Sequence, residues 1–132
     1  MEKRRKVRTF EDLLVWQLSI ELVKRVYVLT ANAWFSKDFE LRSQIRRASV
    51  SIPTNIAEGF DRSGTGEFVQ FLAMAKGSAG EVKSQLYIAL DLNYIDKEIF
   101  NQLFSLAAET DRLIGGLMNY LRNSNIKGTK YR

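Results

Sequence analysis

The apolar residues of this chain recur at helical spacing in four long stretches, and no stretch alternates with a period of two for long. We therefore predict no strands and four helices, over about residues 10–30, 39–58, 67–92 and 97–123, with Thr9 and Asp96 as N-caps. The connections are only a few residues long, so consecutive helices should be antiparallel neighbours. The pattern predicts an all-α protein, an up-down antiparallel four-helix bundle.

The amino-acid composition excludes several kinds of covalent cross-link, catalytic group and metal site. None of the 132 residues is Cys or His. Disulfides, thiolate nucleophiles, imidazole catalysis and the usual zinc sites are therefore excluded. We predict no enzyme, no catalytic residue, no metal and no cofactor. No stretch resembles a signal peptide or a membrane span, which predicts a cytoplasmic protein with no membrane partner.

Positive charge is concentrated at the two ends of the chain. Residues 1–8 hold five cations and one anion, residues 122–132 hold four cations and no anion, and residues 9–121 hold 11 cations and 14 anions. We divide the chain into a basic arm at 1–8, a bundle at 9–123 and a basic tail at 124–132. Short basic arms attract phosphate backbones because each contact releases counterions. Terminal cations that serve only solubility are the alternative.

Candidate contacts to nucleic acid are the cations of both ends together with two arginines of the second helix. They are Lys3, Arg4, Arg5, Lys6, Arg8, Arg46, Arg47, Arg122, Lys127, Lys130 and Arg132.

The first helix carries two apolar faces about 130° apart. One face holds Leu13, Trp16, Ile20, Val23 and Tyr27. Together the two faces span roughly 200°, whereas a surface helix needs only about 100°. We predict that the excess forms an interface between copies of the chain, with complete burial in a monomer as the alternative. The face assigned to that interface holds Val15, Leu18, Leu22, Val26 and Leu29.

The second helix keeps its apolar spacing through Pro53, which predicts either a kink or the start of a new segment. Gly59 is a plausible left-handed stop for this helix. In the third helix, the stretch AMAKGSAGE is rich in small residues, which would let another backbone approach closely. A loosely packed turn is the alternative for that stretch.

Polar residues of the second helix and the following loop permit more than one interpretation. Arg46 and Arg47 are candidate phosphate contacts, but arginines in a bundle more often pair with carboxylates, here Glu58, Glu67 or Glu81. Glu58 and Glu67 are also a candidate acid–base or metal pair, although Arg62 between them favours a salt-bridge cluster. The predicted structural polar cluster contains Arg46, Asn55, Glu58, Arg62 and Glu67.

Three strings of the sequence carry a family resemblance. They are FEDLLVWQLSIELVKRVY, then QIRRASVSIPTNIAEGFDRSGTGEFVQFLAMAKGSAGEVKSQL, then the closing amphipathic helix. Over about residues 9–121 the chain resembles the bacterial four-helix-bundle proteins encoded in intervening sequences of 23S rRNA genes. The resemblance implies a cytoplasmic bundle that assembles as a homopentamer, with no agreed catalytic residues.

The same fold group includes accessory variability proteins of diversity-generating retroelements, which are basic pentamers that bind nucleic acid and a reverse transcriptase. We therefore expect a non-enzymatic oligomer that binds RNA or DNA through basic patches. The alternative is a protein-interaction scaffold, such as an accessory protein of a reverse transcriptase. Residues 9–121 sum to a charge of −3, so the terminal arms and local arginines would have to provide most of the attraction.

Overall fold

The computed structural model describes residues 6–62 and 64–124, which form four α-helices and no strand within those ranges. The helices are α1 (Leu14–Leu29), α2 (Phe39–Asp61), α3 (Thr65–Asp91) and α4 (Lys97–Asn123). Short 3-10 helices cover Phe10–Asp12 and Phe35–Lys37. Each helix packs on the next and α1 also packs on α4, so the all-α four-helix bundle is confirmed.

The helix ends follow local capping chemistry. The side chain of Asp96 accepts a hydrogen bond from the backbone N–H of Ile99 at 2.9 Å, which confirms it as the N-cap of α4. At the start of α2, the side chain of the N-cap Asp38 accepts a hydrogen bond from the backbone N–H of Leu41 at 3.0 Å. Thr9 caps a 3-10 turn that ends before Leu13, so the first α-helix begins four residues later than predicted.

Gly59 does not end the second helix. The backbone of α2 stays helical through Asp61, and within the described residues the one glycine with positive φ is Gly64, in the α2–α3 connection. Gly59 is instead buried against α3, where the Cβ of an alanine would lie 2.7 Å from the Cβ of Phe71. The prediction of a left-handed stop was wrong because this glycine serves close packing between helices.

Pro53 lies inside α2, which continues past it as one helix. The proline has no N–H for the carbonyl of Ser49. Neighbouring side chains bond other carbonyls of this turn: Thr54 donates to Val50 O at 2.8 Å and Asn55 donates to Ser51 O at 2.8 Å. The alternative that Pro53 starts a new segment is therefore wrong.

The core is formed by apolar residues at helical spacing on α2 and α3. Leu41, Ile45, Ala48, Ile52 and Ile56 of α2 are all buried, and Phe68, Leu72 and Leu86 of α3 are fully enclosed. Ile114 and Leu121 of α4 are also fully buried and belong to the same core.

The two apolar faces of α1 are used in the opposite way to the prediction. Val15, Leu22, Val26 and Leu29 are buried in the core of the single chain, and Leu18 is half-buried. Their assignment to an interface between copies was therefore wrong. The other face stays partly open: Trp16, Ile20 and Val23 are half-buried, and Tyr27 is 41% exposed. This open face carries both aromatic residues of α1, Trp16 and Tyr27, whose polar tips can remain in contact with water.

Candidate nucleic-acid interface

Two adjoining grooves run along the outer surface between α1 and α2. The first, here called the apolar groove, has a volume of 730 Å³ and is lined mainly by Trp16, Ile20, Val23, Val50, Pro53 and Ala57. The second, here called the basic groove, has a volume of 640 Å³. Val50 and Thr54 line both, so the two grooves form one continuous surface.

Three arginines of α2 line the basic groove. Arg42 and Arg46 are one helical turn apart, Arg47 directly follows Arg46, and all three side chains line the groove. The remaining lining residues are Tyr27, Ser43, Val50, Ser51 and Thr54, none of which is acidic.

Neutral acceptors hold these guanidinium groups in place. Arg46 Nε donates to Thr30 Oγ1 at 2.7 Å, Arg47 donates to Ser43 Oγ at 2.9 Å, and Arg42 donates to the carbonyl of Ser36 at 3.1 Å. Within the part of the chain that the structure describes, no carboxylate forms an ion pair with any of the three. The prediction that Arg46 and Arg47 pair with Glu58, Glu67 or Glu81 was therefore wrong.

Aromatic rings accompany two of the arginines. The guanidinium of Arg46 lies 4.3 Å from the ring centroid of Tyr27, and that of Arg42 lies 4.7 Å from the ring of Phe39. Tyr27 and Phe39 are exposed, at 41% and 71%. Stacking of this kind leaves the charge intact and orients the planar donors. The basic groove therefore presents three cations that have no carboxylate partner among the described residues, which suits contact with phosphate groups.

The predicted polar cluster forms only in part. Arg62 lies 2.9 Å from Glu58 and 3.9 Å from Glu67, which brings these three side chains together as a salt-bridge cluster. The pKa of Arg62 is raised above its usual value, mainly because Arg62 donates a hydrogen bond to Glu58. Arg46 lies more than three turns away along α2 and does not join the cluster, and Asn55 bonds Ser51 instead.

The remaining predicted contacts are distributed away from the basic groove. Lys6, Arg8 and Arg122 are exposed. Because the helices alternate in direction, the start of α1 and the end of α4 lie at the opposite end of the bundle from the start of α2. The other predicted basic residues lie outside the described residues: Lys3, Arg4, Arg5, Lys127, Lys130 and Arg132.

From the sequence we did not predict that Tyr27 and Ser43 line the basic groove, and we did not propose Arg42 as a phosphate contact. An aromatic residue one turn before a cation on the same helix, as in Phe39 and Arg42, is a local signal for a stacked pair. Tyr27 offered no such signal because it reaches Arg46 from another helix.

The described residues also limit other kinds of site. No group of three or more His, Cys, Asp or Glu side chains in them is arranged to hold a metal ion. None of their helices is long and apolar enough to cross a bilayer.

The fold and this surface define a helical-bundle protein with an electropositive groove on its α1–α2 face. The chain belongs to the 23S rRNA-intervening sequence protein family, whose profile matches residues 11–116. The family resemblance inferred from the sequence strings is thereby confirmed.

A solved structure shares this fold. It is the crystal structure of a protein with unknown function from the S23 ribosomal protein family of Bacteroides thetaiotaomicron VPI-5482, with 25% sequence identity and a TM-score of 0.74. The match covers 80% of this chain and 98% of that one. No curated protein matches the sequence.

Proposed function

We propose that this protein is a non-enzymatic RNA-binding protein that holds phosphates in the basic groove. The observation that carries the proposal is the set of three guanidinium groups, Arg42, Arg46 and Arg47, which neutral partners orient and no described carboxylate neutralises. Phosphate contacts position a nucleic acid without reading its sequence, so binding should depend strongly on salt. The basic ends at 1–8 and 124–132 add further phosphate contacts in this proposal.

Arg47→Gln tests the groove directly. Fluorescence anisotropy of a labelled single-stranded RNA, titrated at several salt concentrations, measures affinity and the slope of log K against log salt. Loss of one phosphate contact should lower the magnitude of that slope by about 0.7. Arg47 is exposed and its one side-chain hydrogen bond goes to Ser43 on its own helix, so folding should be unaffected.

Arg25→Gln is the matched control because it removes the same charge from α1, outside the basic groove. Arg25 forms a 3.0 Å ion pair with Glu21. The RNA-binding proposal predicts that Arg47→Gln weakens binding and that Arg25→Gln does not. Equal effects of the two variants, or binding that is insensitive to salt, would contradict it. If RNA does not bind at all, the alternative of a protein-interaction scaffold for a partner such as a reverse transcriptase takes its place.

The apolar groove supports a second proposal, self-association. Trp16, Ile20 and Val23 of α1 stay partly open beside Val50 and Pro53 of α2, which leaves a continuous apolar strip on the surface. Glu58, Asp61 and Arg62 border one end of the strip, and the arginines of the basic groove border the other. We place the contact between copies on this strip, in an assembly such as the pentamer that the family resemblance implies.

Val23→Glu should dissociate the assembly because it puts a charge into the apolar strip. Val28→Glu is the matched control on the same helix, since Val28 is 77% exposed and does not line the apolar groove. Multi-angle light scattering measures the mass of each variant. A wild-type monomer at tens of micromolar, or equal dissociation by both substitutions, would refute the assignment.

A further inference from the structure

Arg46 differs from the other two arginines of the basic groove in what holds it. The end of α1 binds its guanidinium: Arg46 Nε donates to Thr30 Oγ1 at 2.7 Å, and Arg46 Nη2 donates to the carbonyl of Tyr27 at 3.4 Å. The side-chain hydrogen bonds of the other two arginines go to α2 itself or to the segment directly before it. The orientation of Arg46 therefore depends on how α1 packs against α2.

Thr30 can act toward Arg46 only as an acceptor. Thr30 is fully buried, and its hydroxyl donates its one proton to the carbonyl of Val26, one turn earlier, at 2.8 Å. That bond fixes the direction of the remaining lone pairs of Oγ1. A buried oxygen that its own helix orients is a fixed point, whereas arginine is a long side chain with several rotatable bonds. Thr30 thus sets the position of the guanidinium.

The bonds to α1 leave the outer edge of the guanidinium unused. Nε and the adjacent N–H of Nη2 form one edge of the planar group, and Thr30 and the Tyr27 carbonyl occupy that edge. Nη1 has no partner among the described residues, and it is not one of their buried side-chain atoms that lack a partner, so it is open to solvent. The edge formed by Nη1 and the second N–H of Nη2 matches two oxygens of one phosphate group.

We infer from this geometry that Thr30 is a positioning residue for phosphate recognition, and that Arg46 binds one phosphate of the RNA through its free edge in a bidentate contact. This inference rests on the proposed RNA binding. An arginine that is ordered before the ligand arrives loses less conformational entropy on binding, which strengthens the contact. Tyr27 adds its ring, whose centroid lies 4.3 Å from the guanidinium.

The same contacts give Arg46 a structural role, since its bond to the Tyr27 carbonyl satisfies an acceptor in the last turn of α1. A contact with that role alone would affect the stability of the fold and not the affinity of the folded protein for RNA. The RNA affinity of folded variants therefore separates the two roles.

Thr30→Val removes the acceptor and keeps the shape of the side chain. In anisotropy titrations of the full chain with the labelled single-stranded RNA, this variant should bind roughly fivefold more weakly, the effect of about one hydrogen bond. Thr30→Ser keeps the hydroxyl and should bind with wild-type affinity. In an Arg46→Gln background, Thr30→Val should have no further effect on RNA affinity, because Thr30 acts through Arg46.

Thr110→Val is the matched control. Thr110 of α4 is also fully buried and donates to the carbonyl of Leu106, one turn earlier, at 2.8 Å, but it accepts no hydrogen bond from a described arginine. Its replacement should leave RNA affinity unchanged. Arg46→Lys is a second variant that leaves the core intact. It keeps the charge, but an ammonium group has no second edge for a phosphate, so binding should weaken by a similar factor.

Wild-type affinity of both Thr30→Val and Arg46→Lys would overturn the positioning role and leave the phosphate groove to be judged by Arg47→Gln. Equal weakening by Thr30→Val and Thr110→Val would overturn it as well, and so would an undiminished effect of Thr30→Val in the Arg46→Gln background. A wild-type protein that does not bind the RNA would refute the RNA-binding proposal itself.

Discussion

Gly59 sets how closely α2 and α3 approach each other. A Cβ at this position would lie 2.7 Å from the Cβ of Phe71 and 2.8 Å from Cδ1 of Phe68. The Phe71 atom is attached to backbone and cannot rotate away, so the helices would have to separate. Gly77, in the small-residue centre of α3, has open space where a Cβ would stand, with no described neighbour from another helix within 4 Å. The close backbone approach expected at that stretch is therefore not made at Gly77 within this chain.

Gly59→Ala should therefore destabilise the protein by about 1–3 kcal/mol through overpacking. Gly77→Ala should instead stabilise it by up to about 1 kcal/mol, because alanine is the better helix former and has free space. The free energies of unfolding in urea measure both effects. Shifts of the same sign and size for the two variants would contradict the packing role of Gly59.

Asp111 joins α3 to α4 at the scale of whole helices. It forms ion pairs with Lys76 and Lys83, the latter at 2.8 Å, and its side chain is only 14% exposed. Burial raises the pKa of Asp111, but the hydrogen bonds and charges of the two lysines outweigh burial and hold the pKa below its usual value. The two lysines are seven residues apart on α3, so one carboxylate contacts two successive turns of its neighbour.

Asp111→Asn should lower stability at neutral pH by about 1 kcal/mol, because it removes a charge-assisted contact. In the wild type this contribution is fully present above an ordinary aspartate pKa of about 3.9 and disappears as the pH falls through the lower folded pKa. The variant should therefore lose less stability on acidification. Thermal unfolding as a function of pH measures this. Asp91→Asn, at an exposed site without an ion pair among the described residues, is the control.

At the scale of the whole molecule, Tyr94 links the two helical hairpins at their connections. Tyr94, after α3, donates its hydroxyl to Asp38 Oδ2 at 3.0 Å, and its ring lies 5.3 Å from that of buried Phe35. The backbone N–H of Leu41 and then the Tyr94 hydroxyl lower the pKa of Asp38. The same hydrogen bond, with burial, raises the pKa of Tyr94.

Tyr94→Phe should reduce stability at neutral pH and bring the pKa of Asp38 back toward its usual value. The Asp38 contribution to wild-type stability is lost on acidification below about pH 4, and the Tyr94 contribution is lost as the pH rises above about 10. The variant should show weaker dependence in both ranges when thermal stability is measured against pH. Tyr120→Phe is the control, since Tyr120 is 54% exposed and forms no side-chain hydrogen bond with the described residues. A variant with the same two pH dependences as the wild type would refute this role.

The spacing of residue types along the sequence was enough to predict much of this structure. Helical periodicity identified four helices, with α4 at its observed bounds, and Asp96 was recognisable as an N-cap because capping acts over three residues. The Arg62 pair with Glu58 was predictable for the same reason, since the two residues are four apart on one helix surface.

Only the tertiary structure decided which features act together. Both faces of α1 are apolar, and the partners on α2 and α4 decided which one is buried. Among the described residues Arg46 has no carboxylate partner, and Tyr27 and Thr30 of another segment contact it instead. Side chains of α2 and α3 line a common recess because the two helices lie side by side. A sequence records neighbours along the chain, whereas charge compensation and cavities depend on neighbours across it, which form only when the helices pack.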